Sequence, residues 1–155
     1  MAIRNIVTQG DAILGKRCRE VTDINDHVRM ILDDMLETLH QEQGIGIAAP
    51  QVGILRRMFI IDLEDQVYEL INPEFVEQEG SQFEEEACLS VPGLAGRVKR
   101  PQYVKIKGLD RFGKPVEYEG EGLLATAFCH EYDHLDGILY IDKAEDIREV
   151  GGEVE

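Results

Sequence analysis

The 155-residue sequence has little that would place it outside the cell or in a membrane. It contains only three cysteines, Cys18, Cys88 and Cys129, an odd number without the spacing of a disulfide framework, which suits a reducing compartment. No apolar run approaches the length needed to cross a bilayer. The start, MAIRNIVTQGDAILG, has neither the apolar core of a signal peptide nor the Arg/Ser richness of a transit peptide. We therefore predict a cytoplasmic protein.

Basic residues are also scarce. There are 16 Lys and Arg against 31 Asp and Glu, giving a formal net charge of −15, and no basic cluster along the sequence could release counterions from a phosphate backbone. This balance predicts no direct binding to nucleic acid or to an anionic membrane. The acidity mostly serves solubility, although it also raises the local concentration of cations. No obviously adhesive surface is encoded, so we expect a monomer.

The length and a composition of 43% apolar and 30% charged residues predict a single domain over residues 1–155. Apolar residues at three- and four-residue steps from Ile24 to Leu39 predict an amphipathic N-terminal helix over about 24–41. Short β-like runs follow at 58–63, 67–71, 75–82, 103–109 and 116–118, with a hairpin turn at 110–113. Because these runs are too close together for crossover helices, we expect antiparallel pairing.

A second helix is predicted from Leu123 to about Leu135, ending at Gly137. It carries more apolar residues than one face needs, so we expect it to be buried. The fold class is therefore α+β, with antiparallel β-sheets surrounding a central buried helix and with the N-terminal amphipathic helix beside them. The last segment, DKAEDIREVGGEVE, predicts a short surface helix that frays.

The predicted central helix carries the sequence His130-Glu131-Tyr132-Asp133-His134. Two histidines four residues apart lie on one face of a helix, so both imidazoles can bind one metal ion. A divalent ion with three protein ligands keeps a position for water and lowers the pKa of that water, and a neighbouring Glu can take the proton. The spacing predicts a metal site with Glu131 as the base, although two His with a Glu between them also occur by chance.

A third ligand is needed, and the best candidate is Cys88 in Glu86-Ala87-Cys88-Leu89-Ser90. The acidic residues after Gly137 have no recognisable ligand spacing, whereas Cys88 lies between a strand-like run and a Pro-Gly turn. A thiolate favours a borderline metal over Mg²⁺ or Ca²⁺. Taken alone, a cysteine such as Cys88 is more often a small apolar residue of the core than a ligand.

A third segment, Gly44-Ile45-Gly46-Ile47-Ala48-Ala49-Pro50-Gln51, follows the first helix. Its glycines allow a bound chain to approach the backbone, and Gln51 could direct its amide N–H at an oxyanion. Glycine pairs after a helix also make ordinary turns, and the spacing is not that of a phosphate-binding loop.

Together the three segments resemble the peptide deformylase family, whose signatures have the form GxGxAAxQ, EGCLS and HExxH. The match runs through 44–51, 86–90 and 130–137, and the flanking sequence is similar from end to end. The resemblance implies that Cys88, His130 and His134 hold one divalent metal. Ferrous iron is the usual ion of the family, and nickel, cobalt or zinc can occupy the site.

The resemblance also implies the reaction, in which metal-bound water attacks the formyl carbon of an N-formylmethionyl peptide and formate is released. Glu131 would be the general base and then acid, while the Gln51 side chain and the Leu89 backbone N–H would stabilise the oxyanion. Ile45 and Gly46 would pair with the substrate as an added strand. The pocket for the methionine side chain would be bordered by Leu123, Thr126, Ala127 and His130. Nascent chains would be the partners, with transient proximity to the ribosome.

Three residues depart from the family pattern. Ala87 stands where Gly is usual and would cost about 1 kcal/mol if its φ were positive. Cys129 replaces a common Gln and is interpreted as a packed core thiol, because it points away from His130. Ala95 falls where some relatives use Arg, and Arg97 is a possible substitute. A buried pair of Arg100 with Asp133 could orient the metal-binding helix.

Two alternative functions remain. A degenerate, weakly active relative would bind metal without turnover, with Ala87 as the only hint. A zinc endopeptidase would share the His-Glu-His helix but would tolerate loss of Cys88. The acidic end of the sequence leaves any ribosome contact open, and the sequence does not identify the metal.

Overall fold

Two α-helices and eight strands build the fold in the computed structural model of the chain, which describes residues 2–63 and 65–150. The elements, in order, are α1 (Asp26–Glu42), β1 (Gly46–Ala48), β2 (Met58–Leu63), β3 (Gln66–Glu79), β4 (Gln82–Cys88), β5 (Val91–Arg100), β6 (Tyr103–Leu109), β7 (Pro115–Glu121), α2 (Leu123–Leu135) and β8 (Glu145–Glu149). Short 3-10 helices lie at Ala12–Gly15, Ala49–Val52 and Tyr140–Asp142.

The strands form two antiparallel sheets. The larger has the order β1-β2-β3-β6-β7 and the smaller the order β4-β5-β8. The predicted α+β class with antiparallel pairing is therefore confirmed. The predicted hairpin turn between β6 and β7 is confirmed as well, because Asp110 Oδ1 accepts hydrogen bonds from the backbone N–H of Phe112 and of Lys114. Strands β1 and β4 each lie at the edge of their sheet, which matters for the site.

Helix α1 begins after Asn25, whose side chain accepts a hydrogen bond from Val28 N at 3.0 Å. Its apolar stripe packs on one core cluster with residues of β1, β2 and β3. It ends at Gln43, which adopts the left-handed conformation that commonly terminates helices.

Helix α2 packs against β1, β2, β6 and β7 of the larger sheet and against β5 of the smaller one. Eleven of its 13 residues are buried, which explains its apolar composition. The chain leaves the helix through Gly137, at a φ of +76°, where a Cβ would lie 2.6 Å from the carbonyl oxygen of Gly15. Only glycine permits this close approach, so the helix stops at a fixed point. No helix among residues 2–63 and 65–150 is long and apolar enough to span a membrane.

The predicted surface helix at the C-terminal end is wrong. Residues Glu145–Glu149 instead form β8, which pairs with the edge of β5. This pairing needs Gly96, because a Cβ there would lie 2.8 Å from the Ala144 Cβ. Residues 151–155 of that prediction lie outside the described residues.

Strand boundaries also differ from the prediction. The runs 67–71 and 75–82 are largely one strand, β3, which continues through an irregularity after Ile71 where Asn72 has a φ of +53°. Strands β1 and β5 were not predicted, and β4 was predicted only at its first residue, Gln82.

Candidate metal centre

Two elements from different parts of the fold bring three potential metal ligands together. Helix α2 places His130 and His134 one turn apart, and the end of β4 places Cys88 beside them. One ligand atom of each residue lies within 4.8 Å of the other two. The Cys88 Sγ is 3.3 Å from His134 Nε2. A thiolate and two imidazoles converging in this way are a donor set for a borderline divalent metal.

A buried ion-pair network holds the first histidine in place. The Glu86 carboxylate lies 2.9 Å from His130 Nδ1 and accepts two further hydrogen bonds from Arg100, at 2.8 and 3.0 Å. The other side of the Arg100 guanidinium donates to Asp133 at 2.7 Å, which confirms the predicted pair. Because Nδ1 of His130 faces Glu86, its Nε2 is the nitrogen left for a metal.

The role of Glu86 was not predicted from the sequence. A signal was nevertheless present, because residues i and i+2 of a strand lie on the same face and Glu86 is two residues from Cys88. Burial opposes its ionisation, but the hydrogen bonds from His130 and Arg100 outweigh burial and hold the pKa of Glu86 below its ordinary value. The orienting group is therefore an anion.

The second histidine lies in a different environment. Burial, together with the positive charges of His130 and Arg100, lowers the pKa of His134 well below its ordinary value. Its Nδ1 is buried and has no hydrogen-bond partner among the described residues. The neutral ring therefore keeps a lone pair available for a metal.

The Glu131 carboxylate is buried between the histidine helix and β1. Burial raises the pKa of Glu131 to about 7. Its Oε1 has no partner among the described residues, and a Cβ added to Gly46 would lie 2.6 Å from its Oε2. Gly46 therefore leaves the space that this carboxylate occupies.

The two residues predicted to stabilise an oxyanion lie close to Cys88. The Gln51 Nε2 donates to Ser90 Oγ at 3.1 Å and approaches Cys88 Sγ at 3.6 Å, while its Oε1 accepts from Ala48 N at 2.9 Å. These contacts fix the orientation of the amide, which is buried behind the cysteine. Leu89 lies at the turn after β4 and lines the cavity in front of the cysteine.

A cavity of about 390 Å³ opens above this cluster, between the edge strands β1 and β4 and the first turns of α2. All of the predicted substrate-binding residues line it, namely Ile45, Gly46, Leu123, Thr126 and Ala127, together with Cys88, His130 and Glu131. A second cavity, of about 630 Å³, lies beside the N-terminus of α1 and contains none of these residues.

The three departures from the family pattern can now be located. Ala87 lines the cavity and is not among the described residues with a positive φ, so the expected backbone cost does not apply. Cys129 is packed in the core, and burial raises the pKa of its thiol to about 12. Ala95 is buried in β5. Its possible substitute does not point into the cavity, because the Arg97 guanidinium stacks over the Phe83 ring and donates to the Phe83 carbonyl.

An α+β fold in which a buried helix presents two His and a Glu to a cysteine defines a metal-dependent hydrolase. The family model of polypeptide deformylase matches residues 3–150. The peptide deformylase of Thermoanaerobacter pseudethanolicus is 54% identical over 144 residues, which cover 93% of this chain and 91% of that protein. The chain therefore belongs to the peptide deformylase family of enzymes.

Solved structures agree with this assignment. A peptide deformylase from Legionella pneumophila matches with a TM-score of 0.90 and 40% identity, covering 94% of this chain and 88% of that one. A peptide deformylase from Synechococcus elongatus in complex with actinonin matches with a TM-score of 0.88 and 38% identity. The match covers 92% of this chain and 79% of that one.

Proposed function

We propose that this chain releases formate from N-formylmethionyl peptides, with one divalent metal held by Cys88, His130 and His134 and with α2 as the central helix of the site. The observation that carries the proposal is the convergence of these three ligands at a cavity that Cys88, His130 and Glu131 line. New polypeptides that begin with formylmethionine are the substrates, and the cytoplasm is the compartment in which they are met.

The residues present suit the proposed metal. A thiolate with two imidazoles selects a borderline transition metal, and we assign Fe(II) as the ion in the cell, with Ni, Co or Zn able to replace it. The anionic Glu86 behind His130 fixes the orientation of that ring, and the low pKa of His134 keeps the second imidazole neutral, so both favour metal binding. When bound, the ion supplies a Lewis acid that lowers the pKa of a coordinated water toward neutrality.

The chain's own residues perform the proton transfers. Glu131 takes a proton from the attacking water and returns it to the amine nitrogen as the C–N bond breaks, so that water and the formamide become formate and a free amine. Its raised pKa, about 7, suits both directions of transfer. The Gln51 amide and the Leu89 backbone N–H stabilise the negative charge that develops on the formyl oxygen.

The cavity determines how the substrate binds. Among residues 2–63 and 65–150, no strand pairs with the outer edge of β1 or of β4, so an extended peptide lies between them as an added strand, paired through Ile45 and Gly46. Leu123, Thr126 and Ala127 on α2 then border the methionine side chain. This arrangement directs the formyl end of the peptide at Cys88 and His130.

The test is formate release from a formyl-Met tripeptide by anaerobically purified protein, with metal content measured on the same sample. We expect a rate proportional to bound metal and none from the acetyl-Met analogue, because the carbonyl carbon of an acetyl amide is more hindered and less electrophilic than that of a formyl amide. Metal-loaded protein without formate release would instead indicate a degenerate relative. Cleavage of internal peptide bonds would indicate an endopeptidase.

Gly46→Ala is predicted to lower kcat about 10- to 100-fold without loss of metal. The new methyl group would lie 2.6 Å from Glu131 Oε2 and would displace the carboxylate, and misplacement of a catalytic group by about 1 Å can cost 10²-fold. The measurement is kcat with metal analysis. Gly15→Ala is the matched control, because a Cβ there meets nothing within 4 Å. Equal rates for both variants would contradict the placement of Glu131 against Gly46.

A further inference from the structure

The rim of the cavity carries one exposed charged side chain among the lining residues that the structure describes. Of the carboxylates in the lining, Glu86 and Glu131 are buried, whereas the Glu85 side chain is 43% exposed. Glu85 lies on β4 and faces the opposite way to Glu86, because side chains alternate along a strand. Its charge is therefore exposed to solvent on the face of β4 opposite to Glu86, at the rim of the cavity that Glu85 lines.

Arg148 binds this carboxylate from the other edge of the small sheet. The guanidinium donates from Nε to Glu85 Oε2 at 2.8 Å and from Nη2 to Oε1 at 2.9 Å, a bidentate pair between β8 and β4. Strand β5 lies between them, and the β5 residue paired with Arg148 is Ala95. The small Ala95 side chain leaves room for the arginine to reach across β5.

The position of the pair along β4 relates it to a particular part of the substrate. Glu85 is three residues from Cys88, which is at most about 10 Å along the strand, because a register shift lies between Glu86 and Cys88. If the proposed function holds, a peptide bound along this edge with its formyl group at Cys88 places its third residue near Glu85. The third residue of the peptide differs among the proteins a cell makes, and its side chain can be acidic, basic or neutral.

The charge of the whole protein makes this contact important. With a net charge of −15, an unpaired carboxylate at the rim would add to repulsion of acidic peptides and to attraction of basic ones. The hydrogen bond from Arg148 lowers the pKa of Glu85, so the carboxylate is ionised and the pair is close to neutral.

We propose that the Glu85–Arg148 pair neutralises the substrate rim, so that peptides are deformylated with little regard to the charge of their third residue. Arg148 and Glu85 are specificity-determining residues in this proposal, and neither takes part in the chemistry. The C-terminal strand β8 thereby contributes to substrate selection, although it supplies no residue to the metal centre.

The test compares kcat/KM for three amidated peptides, formyl-Met-Ala-Glu, formyl-Met-Ala-Gln and formyl-Met-Ala-Lys. Wild-type protein should process all three within about twofold. Arg148→Gln should lower kcat/KM for the Glu peptide, relative to the Gln peptide, about two- to fivefold. It should raise kcat/KM for the Lys peptide, relative to the Gln peptide, by a similar factor. This is the size of effect expected for one partly exposed charge. Glu85→Gln should shift both ratios in the opposite direction. The double variant should restore the wild-type ratios, and about 1 M salt should remove the shifts.

Ratios measured on one sample do not depend on how much of a variant is folded. Lys107→Gln is the matched control, because Lys107 pairs with Glu74 on the other sheet and its loss changes the net charge by the same amount. The inference would be overturned if Arg148→Gln changed kcat/KM by the same factor for all three peptides. It would also be overturned if Lys107→Gln shifted the ratios equally, or if the shift persisted in the double variant. Wild-type protein that releases no formate from any peptide would overturn the proposed function itself, and the inference with it.

Discussion

Glu131→Gln should lower kcat for formate release by about 10²- to 10⁴-fold while the protein keeps its metal and its fold. Glutamine has nearly the same shape as glutamate, so the space beside Gly46 remains filled and the ligands Cys88, His130 and His134 are untouched. What is lost is a group that can take a proton from water and return it to the leaving amine. The measurement is single-turnover formate release together with metal analysis.

A control variant and two contrary outcomes make the result for Glu131→Gln interpretable. Glu74→Gln changes the net charge by the same amount on an exposed part of the larger sheet, and it should leave the rate unchanged. Equal rates for Glu131→Gln and wild type would remove Glu131 from the mechanism. Loss of metal together with rate would instead mean that this residue supports the site rather than the proton transfer.

The part of the site that could be predicted from sequence is the part that depends on local geometry. His130 and His134 share a face because any helix places residues four apart on one side. The pair can therefore be recognised from the sequence alone. The meeting of Cys88 with this helix is not local, since 42 or more residues separate it from each histidine. The residues alone therefore did not decide whether Cys88 is a metal ligand or a core side chain. The family resemblance implied the ligand role.

The parts that were missed are contacts between distant segments. Glu86 reaches His130 across 44 residues and Arg148 reaches Glu85 across 63. The spacing of Glu86 from Cys88 could have indicated that Glu86 lies near the site, but no pattern in the sequence names the partner of either residue. Strand β8 was missed for the same reason. The segment Glu145–Glu149 has no apolar alternation, and its conformation comes from pairing with β5 where Gly96 allows close approach.

Arg100→Leu should destabilise the fold by about 3–5 kcal/mol and reduce metal content, because it removes the cation from a buried network. Arg100 is 4% exposed and holds both Glu86 and Asp133. Asp133 keeps a contact with Lys143 at 3.1 Å, so the larger loss falls on Glu86. Without its guanidinium partner, the buried Glu86 carboxylate is driven toward its protonated form, and a protonated Glu86 holds His130 less well for the metal.

The measurements are the free energy of unfolding in urea and the metal content after purification, with Arg111→Leu as the matched control. Arg111 also binds two carboxylates, those of Glu69 and Asp33 at 2.8 Å, but it is 26% exposed and lies outside the metal centre. Its loss should therefore cost less stability, because water can solvate the released carboxylates, and it should leave the metal content unchanged. If Arg100→Leu instead retained full metal content, the network would be a structural support of α2 alone. If both variants lost metal equally, the loss would follow from general instability and not from the release of His130.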